Sequence, residues 1–402
     1  MKQVNTILAI LFLIVVIGCG RRKQTTDDVI TVDVTKRYSA KKELILQDFM
    51  DVEYVKLETN DSYLNQGLVK DIGKEFILVT NRNQDGNIFV YDRNGKGISK
   101  FNRKGQGPGE YTSILSITLD ENNGEMFVYD LFTQTPFVYD LFGNFKRSIG
   151  RRENDTFRVY SALFNYDDNN LIVYDRDTEE KGYYLVSKKD GSITKEIKIP
   201  YVEKKLLLQS RSLRENEIGE TTSFGTRTGF TQAAPNSHVP IIPYYDNWIL
   251  LEYSSDTLYQ FLPDSGLLPF IVRTPSIQSM NPEIMLILRL FSGRYLFFET
   301  VTNEFNWDTN RGFERSFFMY DKQKKDFSGY TIYNGDYSTK KEIYLSSFRL
   351  VNHEIVLWQP LEAYQLVKDY QEGRLKDGKL KEIAATLDVE DNPVIMLIKH
   401  KK

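Results

Sequence analysis

The sequence predicts an all-β fold, a six-bladed β-propeller with four-stranded blades. Three observations support it. A three-residue motif recurs at the spacing of propeller blades, β-branched and aromatic segments are separated by Asn- and Gly-rich turns, and few segments have helical periodicity. The 402-residue chain is 41% hydrophobic and 13% aromatic, which is sufficient for a large core.

The recurring motif is Val-Tyr-Asp, followed in several copies by a Gly-containing turn and a second β-rich run. Asp92 and Asp140 end two copies and are 48 residues apart, and Asp130 and Asp175 end two more and are 45 residues apart. A Met-Tyr-Asp relative ends at Asp321. Repeats of about 40–50 residues, each containing hairpins, are typical of propeller blades.

The first residues predict export and lipid attachment. An apolar run of eleven residues, 7–17, follows Lys2 and is too short to span a bilayer. It leads into Val-Ile-Gly-Cys, and Cys19 is the chain's only cysteine. This arrangement resembles a bacterial lipobox, so we predict a lipoprotein signal peptide over residues 1–18 and lipidation of Cys19. The alternative is an ordinary signal peptide with a chance cysteine.

The remaining organisation follows from that cleavage. A flexible tether is predicted over residues 19–45 and the propeller over residues 46–402. Because Gly20 and not Asp follows Cys19, resemblance to known lipoprotein sorting implies an outer-membrane anchor at the cell envelope; its periplasmic or surface face stays open. The protein would therefore contact the membrane through lipidated Cys19.

Six groups of strands can be assigned along the chain. They begin near residue 68 and cover 68–101, 114–149, 171–199, 248–273, 294–333 and 348–399. The last group is one strand short, whereas residues 53–57 form an alternating segment before the first group. We predict that this segment completes the final blade, because closing the ring removes exposed sheet edges.

Helical patterns are confined to a few places. Residues 361–370 have apolar side chains at helical spacing after Pro360, and residues 380–387 form a second short candidate. Both are predicted as an insertion in the last blade. Residues 284–288 fit either a helix or a buried strand.

Composition excludes several functions. The net charge is −3, so no general attraction to nucleic acid is expected. One cysteine and three histidines (His238, His353 and His400) provide neither an H-E-x-x-H zinc site nor a plausible catalytic triad. No catalytic residue, resident metal ligand or cofactor is predicted.

Residues 105–111 form the first candidate site. Their Gly-rich sequence could cradle phosphate only before a helix, but a strand pattern follows. We interpret it as an interblade connection with a type II turn at Pro108-Gly109, and predict that Glu110 and Tyr111 line the mouth of the central channel. The acidic segments 120–124 and 167–170 have Ca²⁺-compatible oxygens but fit hairpin turns equally well.

Two irregular segments are the candidate ligand-binding loops. Residues 209–238 form a long connection, and long connections in compact domains are often functional. We predict recognition there through Arg211, Arg214, Phe224, Arg227 and Phe230, the alternative being an inert insertion. Residues 303–315 form the second candidate, in which Trp307, Arg311 and Arg315 combine a stacking ring with hydrogen-bond donors.

The sequence of residues 103–111, R-K-G-Q-G-P-G-E-Y, resembles a hallmark of six-bladed β-propeller lipoproteins of Gram-negative, Bacteroides-type bacteria. Residues 55–59 and 255–259 are further matches, and the family is similar to NHL-type propellers. The resemblance implies a binding module for a glycan, a peptide or a partner envelope protein. The alternative is a Ca²⁺-dependent, lactonase-like hydrolase or lyase with the metal in the central channel.

Overall fold

The computed structural model describes residues 29–82, 84–149, 160–175, 182–219, 221–222, 225–226, 229–235, 239–345 and 349–401. The predicted signal peptide and Cys19 lie outside these residues, as do Phe224, Arg227 and His238. Of the helices in the described part of the chain, none has the length and apolar character needed to cross a membrane.

The described chain begins with elements that precede the first blade. They are β1 (Ile30–Asp33), β2 (Lys41–Ile45), the one-turn helix α1 (Leu46–Phe49) and β3 (Met50–Lys56).

Three blades follow, each a four-stranded antiparallel sheet whose strands are consecutive in the chain. Blade 1 contains β4 (Leu68–Ile72), β5 (Phe76–Thr80), β6 (Asn87–Asp92) and β7 (Gly97–Asn102). Blade 2 contains β8 (Ile114–Asp120), β9 (Glu125–Asp130), β10 (Pro136–Asp140) and β11 (Phe145–Ser148). Blade 3 contains β12 (Tyr160–Asn165), β13 (Asn170–Asp175), β14 (Tyr183–Ser187) and β15 (Ile193–Ile197).

The second half of the ring carries the insertions. Between blades 3 and 4 lie β16 (Gln209–Ser212), β17 (Thr221–Thr222), β18 (Gly225–Thr226) and β19 (Phe230–Ala233). Blade 4 contains β20 (Ile241–Tyr244), β21 (Asn247–Leu250), β22 (Thr257–Leu262) and β23 (Gly266–Thr274). Blade 5 contains β24 (Ile284–Phe291), β25 (Tyr295–Thr302), β28 (Arg315–Asp321) and β29 (Asp326–Asn334). A small hairpin of β26 (Phe305–Asn306) and β27 (Arg311–Gly312) lies between β25 and β28 in the chain. The short strand β30 (Lys341–Ile343) pairs with β29. Blade 6 contains β31 (Arg349–Leu350), β32 (Ile355–Leu361), α2 (Ala363–Gln371), α3 (Lys379–Ala384) and β33 (Val394–His400).

This arrangement confirms the predicted six-bladed propeller of four-stranded blades. The two predicted helices are present between β32 and β33 as an insertion in the last blade. Residues 284–288 belong to β24, so of the two alternatives for that segment the buried strand is correct.

The aspartates of the repeated motif stand at the ends of strands and accept hydrogen bonds from the backbone of the next turn. The Asp92 carboxylate accepts hydrogen bonds from the backbone N–H groups of Asn94 at 2.8 Å and Lys96 at 2.9 Å, which stabilises the turn after β6. The Asp140 carboxylate holds the turn after β10 in the same way. Both residues end the third strand of their blade, so the 48-residue separation is one blade repeat.

The ring closes through strands from the two ends of the chain. β3 pairs antiparallel with β33 from Met50 opposite His400 to Lys56 opposite Val394, and it is the outermost strand of blade 6. The predicted closing segment, residues 53–57, is therefore confirmed. Met50 and Leu57 are fully buried, which ties this segment to the core.

The residues before β3 also belong to the ring. β1 pairs parallel with the outermost strand of blade 4, β23, and β2 pairs parallel with the outermost strand of blade 5, β29. Val32 and Val34 are fully buried. The predicted tether is thus wrong from residue 30 onwards, because the alternating sequence Ile-Thr-Val-Asp-Val packs as a strand and the chain forms a belt around blades 4, 5 and 6.

The two faces of the ring differ in their connections. In blades 1 to 5 the turns between first and second strands and between third and fourth strands share one face, which we call the short-turn face, and the turn between the first two strands of blade 6 lies there too. These turns have two to five residues. The opposite face, the loop face, carries the described connections between second and third strands and between consecutive blades, the longest of them in segment 198–240.

The short-turn face is fixed by hydrogen bonds between blades. The Glu121 carboxylate of blade 2 accepts from the backbone N–H groups of Lys74 and Glu75 at 2.8 Å and of Phe76 at 3.0 Å, all in blade 1. In the same acidic segment Asp120 binds the Lys188 ammonium of blade 3 at 2.7 Å. The carboxylates of residues 120–124 therefore serve turn structure and blade packing, and the Asp167 carboxylate likewise accepts from backbone N–H groups within its own turn.

The closing strand provides a test of ring closure. A chain beginning at residue 59 lacks β3 and exposes the edge of β33, so we expect aggregation or loss of the folded monomer. The lost burial of Met50, Val55 and Leu57 alone is worth about 1.5–3 kcal/mol each. A chain beginning at residue 39 loses β1 with the buried Val32 and Val34 but keeps β3, so it should melt at a lower temperature and remain a folded monomer. Size-exclusion chromatography with thermal melting distinguishes them; a stable, monomeric chain from residue 59 would contradict the closure.

Asp71 predicts a pH dependence of stability. Its carboxylate accepts from the Leu119 N–H at 2.6 Å and the Ile72 N–H at 2.8 Å. Burial, with a smaller contribution from Glu121, raises the pKa of Asp71 from 3.8 to about 7. The folded protein therefore holds this proton more tightly than the unfolded chain, and the free energy of unfolding falls as the pH rises from about 4 to 7.

Asp71→Asn removes that titration. Relative to the wild type, its free energy of unfolding should rise by about 1–3 kcal/mol between pH 4 and pH 7.5 and then level off, since one unit of pKa corresponds to about 1.4 kcal/mol. Urea unfolding at several pH values measures the difference. The exposed Asp61→Asn is the control and should show no such trend; a pH-independent difference for Asp71→Asn would refute the prediction.

Candidate functional site

The Gly-rich connection between blades 1 and 2 is a structural turn. The Glu110 N–H donates to the Gly107 carbonyl at 3.1 Å and Gly109 has φ = 73°, as a type II turn with Pro108 and Gly109 at its centre requires. The Glu110 carboxylate accepts from the Gly107 N–H at 2.8 Å. A Cβ at Gly105 would lie 1.9 Å from that carboxylate, so the glycine is needed for close approach. The interblade-turn interpretation is confirmed.

Tyr111 does not line a channel mouth as predicted. Its side chain is fully buried, its hydroxyl donates to the Gly86 carbonyl at 2.6 Å, and the hydroxyl accepts from the Arg103 N–H at 3.0 Å. The aromatic ring packs in the core between blades 1 and 2. The Glu110 carboxylate is bound to the Gly107 N–H of its own turn, so it stabilises this connection.

The two predicted recognition loops meet on the loop face. The Arg211 guanidinium lies over the Trp307 ring, 5.2 Å from its centroid, and Arg214 pairs with Asp308 at 2.6 Å. The Gln209 side chain donates to the Asn303 carbonyl at 2.7 Å. Segments about 95 residues apart in the chain thus form one surface, which we call the two-hairpin surface and define by Arg211, Arg214, Phe230, Trp307 and Arg311.

The cationic side of this surface is pre-organised. Arg211 makes a bidentate ion pair with Glu217, with oxygen distances of 2.8 and 2.7 Å. This guanidinium, with the Arg214 N–H, lowers the pKa of Glu217 to about 2, so the pair stays ionised throughout the physiological range. Because Glu217 holds the guanidinium and Trp307 lies beneath it, the Arg211 side chain is held in one orientation.

The other predicted residues of these loops have different environments. Phe230, on β19, has a strongly exposed side chain. Arg311 is exposed at the tip hairpin and makes no ion pair with any described residue. Arg315 instead pairs at 3.2 Å with Glu299, which is fully buried and also bound by Arg289, so Arg315 anchors blade 5 and is not a member of the two-hairpin surface.

Exposed apolar side chains are the feature that sequence reasoning missed. Val202 is 90% exposed, Phe132 is 73% exposed and Leu64 is 56% exposed, and all three lie in connections of the loop face. The Asp130 carboxylate holds the turn that carries Phe132, accepting from the Phe132 N–H at 2.9 Å and the Thr133 N–H at 2.7 Å. A large exposed aromatic ring on a rigid turn is typical of an interaction surface.

The centre of the short-turn face is aromatic. The His400 ring lies 4.6 Å from the Tyr245 ring and 4.7 Å from the Phe291 ring, and the His353 ring lies 4.6 Å from the Trp248 ring. Burial, reinforced by Lys322, lowers the pKa of His400 to about 4. These contacts join blades 4, 5 and 6, so two of the three histidines serve packing.

Among the residues that the structure describes, no group of three or more His, Cys, Asp or Glu side chains is arranged to hold a metal ion. The Ca²⁺ of the alternative prediction would have to be held by smaller or partly carbonyl donor sets.

Comparison with known proteins places the chain in a family. The family model described as "Domain of unknown function (DUF4934)" matches residues 29–399, which include all six blades. Among curated proteins, none matches the sequence.

Two solved structures are similar to this chain. A "putative exported protein" of Bacteroides fragilis is 17% identical with a TM-score of 0.54, over 93% of this chain and 100% of that one. A member of the DUF4221 family from Bacteroides vulgatus is 9% identical with a TM-score of 0.45, over 88% of this chain and 99% of that one. The first likeness shows a shared fold.

The contact between the two hairpins can be tested with Trp307→Ala. Loss of the ring under Arg211 removes a cation–π contact worth about 0.5–1 kcal/mol, so amide hydrogen exchange in β16 and β19 should accelerate roughly 2- to 5-fold. Phe142→Ala, an exposed ring in a turn of the short-turn face, is the control and should leave that exchange unchanged. Equal exchange in all three proteins would show that the hairpins do not support each other.

Proposed function

We infer the function from the loop face, because the chain belongs to the DUF4934 family, whose description as a domain of unknown function names no activity. We propose that the protein is a cell-envelope binding module that binds a partner protein through this face. The family resemblance leaves a glycan, a peptide and an envelope protein as ligand classes, and the surface favours the protein.

One observation carries the proposal: large exposed apolar side chains lie in several connections of the loop face. Val202, Leu64 and Ile218 are aliphatic, and aliphatic side chains do not stack on sugar rings as aromatic ones do. Protein partners bury such side chains in their own pockets, and a few anchors then provide most of the binding energy. The fixed Arg211–Trp307 pair adds the Arg and Trp side chains that protein interfaces favour.

Envelope location supports a partner of the same compartment. The apolar leader and Cys19 predict export and a lipid anchor, and the exported-protein description of the related Bacteroides fragilis structure agrees with export. We propose attachment through lipidated Cys19, with the outer membrane as the site. The belt strand β1 begins at Ile30, so at most eleven residues would connect the anchor to the ring. A segment of that length extends to about 40 Å, so the ring would stay close to the bilayer.

The experiment is affinity capture from envelope extracts of the source bacterium. The wild-type protein should enrich a discrete partner, and Phe132→Ser with Val202→Ser should reduce its recovery at least 10-fold, because interface anchors are worth about 2 kcal/mol or more. Phe142→Ser, a matched exposed ring on the short-turn face, should capture as well as the wild type. Equal capture by all variants would refute the loop face as the binding surface.

A second measurement distinguishes the binding module from the alternative, a Ca²⁺-dependent enzyme. The module requires no ion, so a chelator should change neither the melting temperature nor capture. A fall in melting temperature that added Ca²⁺ reverses would instead favour the lactonase-like hydrolase or lyase.

A further inference from the structure

A groove of about 500 Å³ lies on the loop face where the ring closes, between blade 6 and blade 1. We call it the seam groove. Its lining comes from three connections: segment 57–67 after β3, segment 81–86 in blade 1 and the helical insertion of blade 6. Eight residues line it: Leu64, Asn65, Gln66, Arg82, Glu362, Glu390, Asp391 and Pro393. Its volume is that of a small-molecule or side-chain binding site.

The base of the groove is rigid before any ligand binds. The Asn392 side-chain carbonyl accepts from the Asn65 N–H at 2.8 Å, and the Asn65 amide donates to the Tyr91 hydroxyl at 2.6 Å. Gly67 has φ = 64°, and a Cβ there would lie 2.9 Å from Pro393. The two walls are thus held at fixed separation by buried amides and close backbone packing.

Of the charged side chains that line the groove, Glu390 has no partner among the described residues. Arg82 pairs with Glu362 at 3.0 Å, which joins the rims of blades 1 and 6, and Asp391 pairs with Lys56 at 3.4 Å. The side chain of Glu390 makes no hydrogen bond or ion pair with a described residue. The groove therefore keeps a net negative charge that no cation of the described chain offsets.

The remaining lining complements a cation with an alkyl stem. Leu64 and Pro393 provide apolar contact surface for the stem. The Gln66 side-chain carbonyl is already bound to the Arg82 N–H at 2.7 Å, so Glu390 is the acceptor for the cation. Lys and Arg side chains bury an apolar stem while the charged head stays at a polar group. None of the described residues that line the groove is aromatic, which disfavours sugar stacking.

We propose that the seam groove binds an alkylammonium or guanidinium group, with the cation at Glu390 and its stem along Leu64. The group is either part of a peptide side chain or a free polyamine, which share this chemistry. The groove is separate from the two-hairpin surface, and the inference does not depend on a protein partner at the loop face.

The test uses two probes, a pentalysine peptide and spermidine, titrated into the purified protein at low ionic strength by calorimetry. A 1:1 saturable complex is expected. Glu390→Gln should weaken binding roughly 2- to 5-fold, because an ion pair with an exposed carboxylate contributes modestly, and Glu390→Lys should abolish it. Tighter binding of pentalysine identifies a peptide side chain as the occupant, and tighter binding of spermidine identifies a polyamine.

Matched controls separate the groove from general charge attraction. Glu75→Gln and Glu75→Lys make the same charge changes at an exposed glutamate of the short-turn face and should bind like the wild type. Leu64→Trp fills the groove without changing its charge and should also abolish binding, whereas Trp307→Ala should have no effect. Absence of saturable binding for both probes, or equal weakening by the Glu75 and Glu390 variants, would overturn the proposal.

Discussion

The pairing of β3 with β33 is the constraint on which the rest of the structure depends. Blades 1 and 6 contain the two ends of the propeller sequence, and they become neighbours only because β3 adds to blade 6 before the chain enters blade 1. Val55 and Leu57 then pack in one cluster with Val69 of blade 1 and Ile395 of blade 6. Without this strand the array would have two open sheet edges and an exposed core on each. The chain before β3 also packs on the ring, because β1 pairs with blade 4 and β2 pairs with blade 5.

Closure allows the two faces to have different tasks. On the short-turn face, side chains such as Glu121 satisfy the backbone groups of a neighbouring blade, so a change of loop length there would break hydrogen bonds between blades. Some connections on the loop face, such as the Asp130 turn, satisfy their polar groups locally, and these can vary in length without disturbing the ring. Long connections therefore accumulate on one face for a structural reason.

The sequence predicts what is local and periodic, and it fails where distant segments meet. The repeated aspartates predict the blades correctly because each carries its own turn chemistry, and residues 53–57 are identifiable because they alternate strictly. Residues 30–34 alternate too, but five residues beside a polar segment resemble a linker, and only pairing with β23 makes them a strand. Tyr111 carries a polar hydroxyl that suggests exposure, yet its partners Gly86 and Arg103 are brought to it by the fold. The contact of Arg211 with Trp307 likewise joins residues about 95 positions apart, which no spacing reveals.

The seam groove and the two-hairpin surface differ in their relation to closure. The hairpins belong to blades 3, 4 and 5, whose strands are continuous along the chain and need no strand from the N-terminus to be neighbours. The groove has one wall just after β3 and the other just before β33, so it exists only when the ring is closed. A ligand that binds the closed ring and not the open chain must add its binding free energy to the stability of the ring. Occupation of the groove is therefore coupled thermodynamically to closure, whereas occupation of the two-hairpin surface is coupled only to the order of its loops.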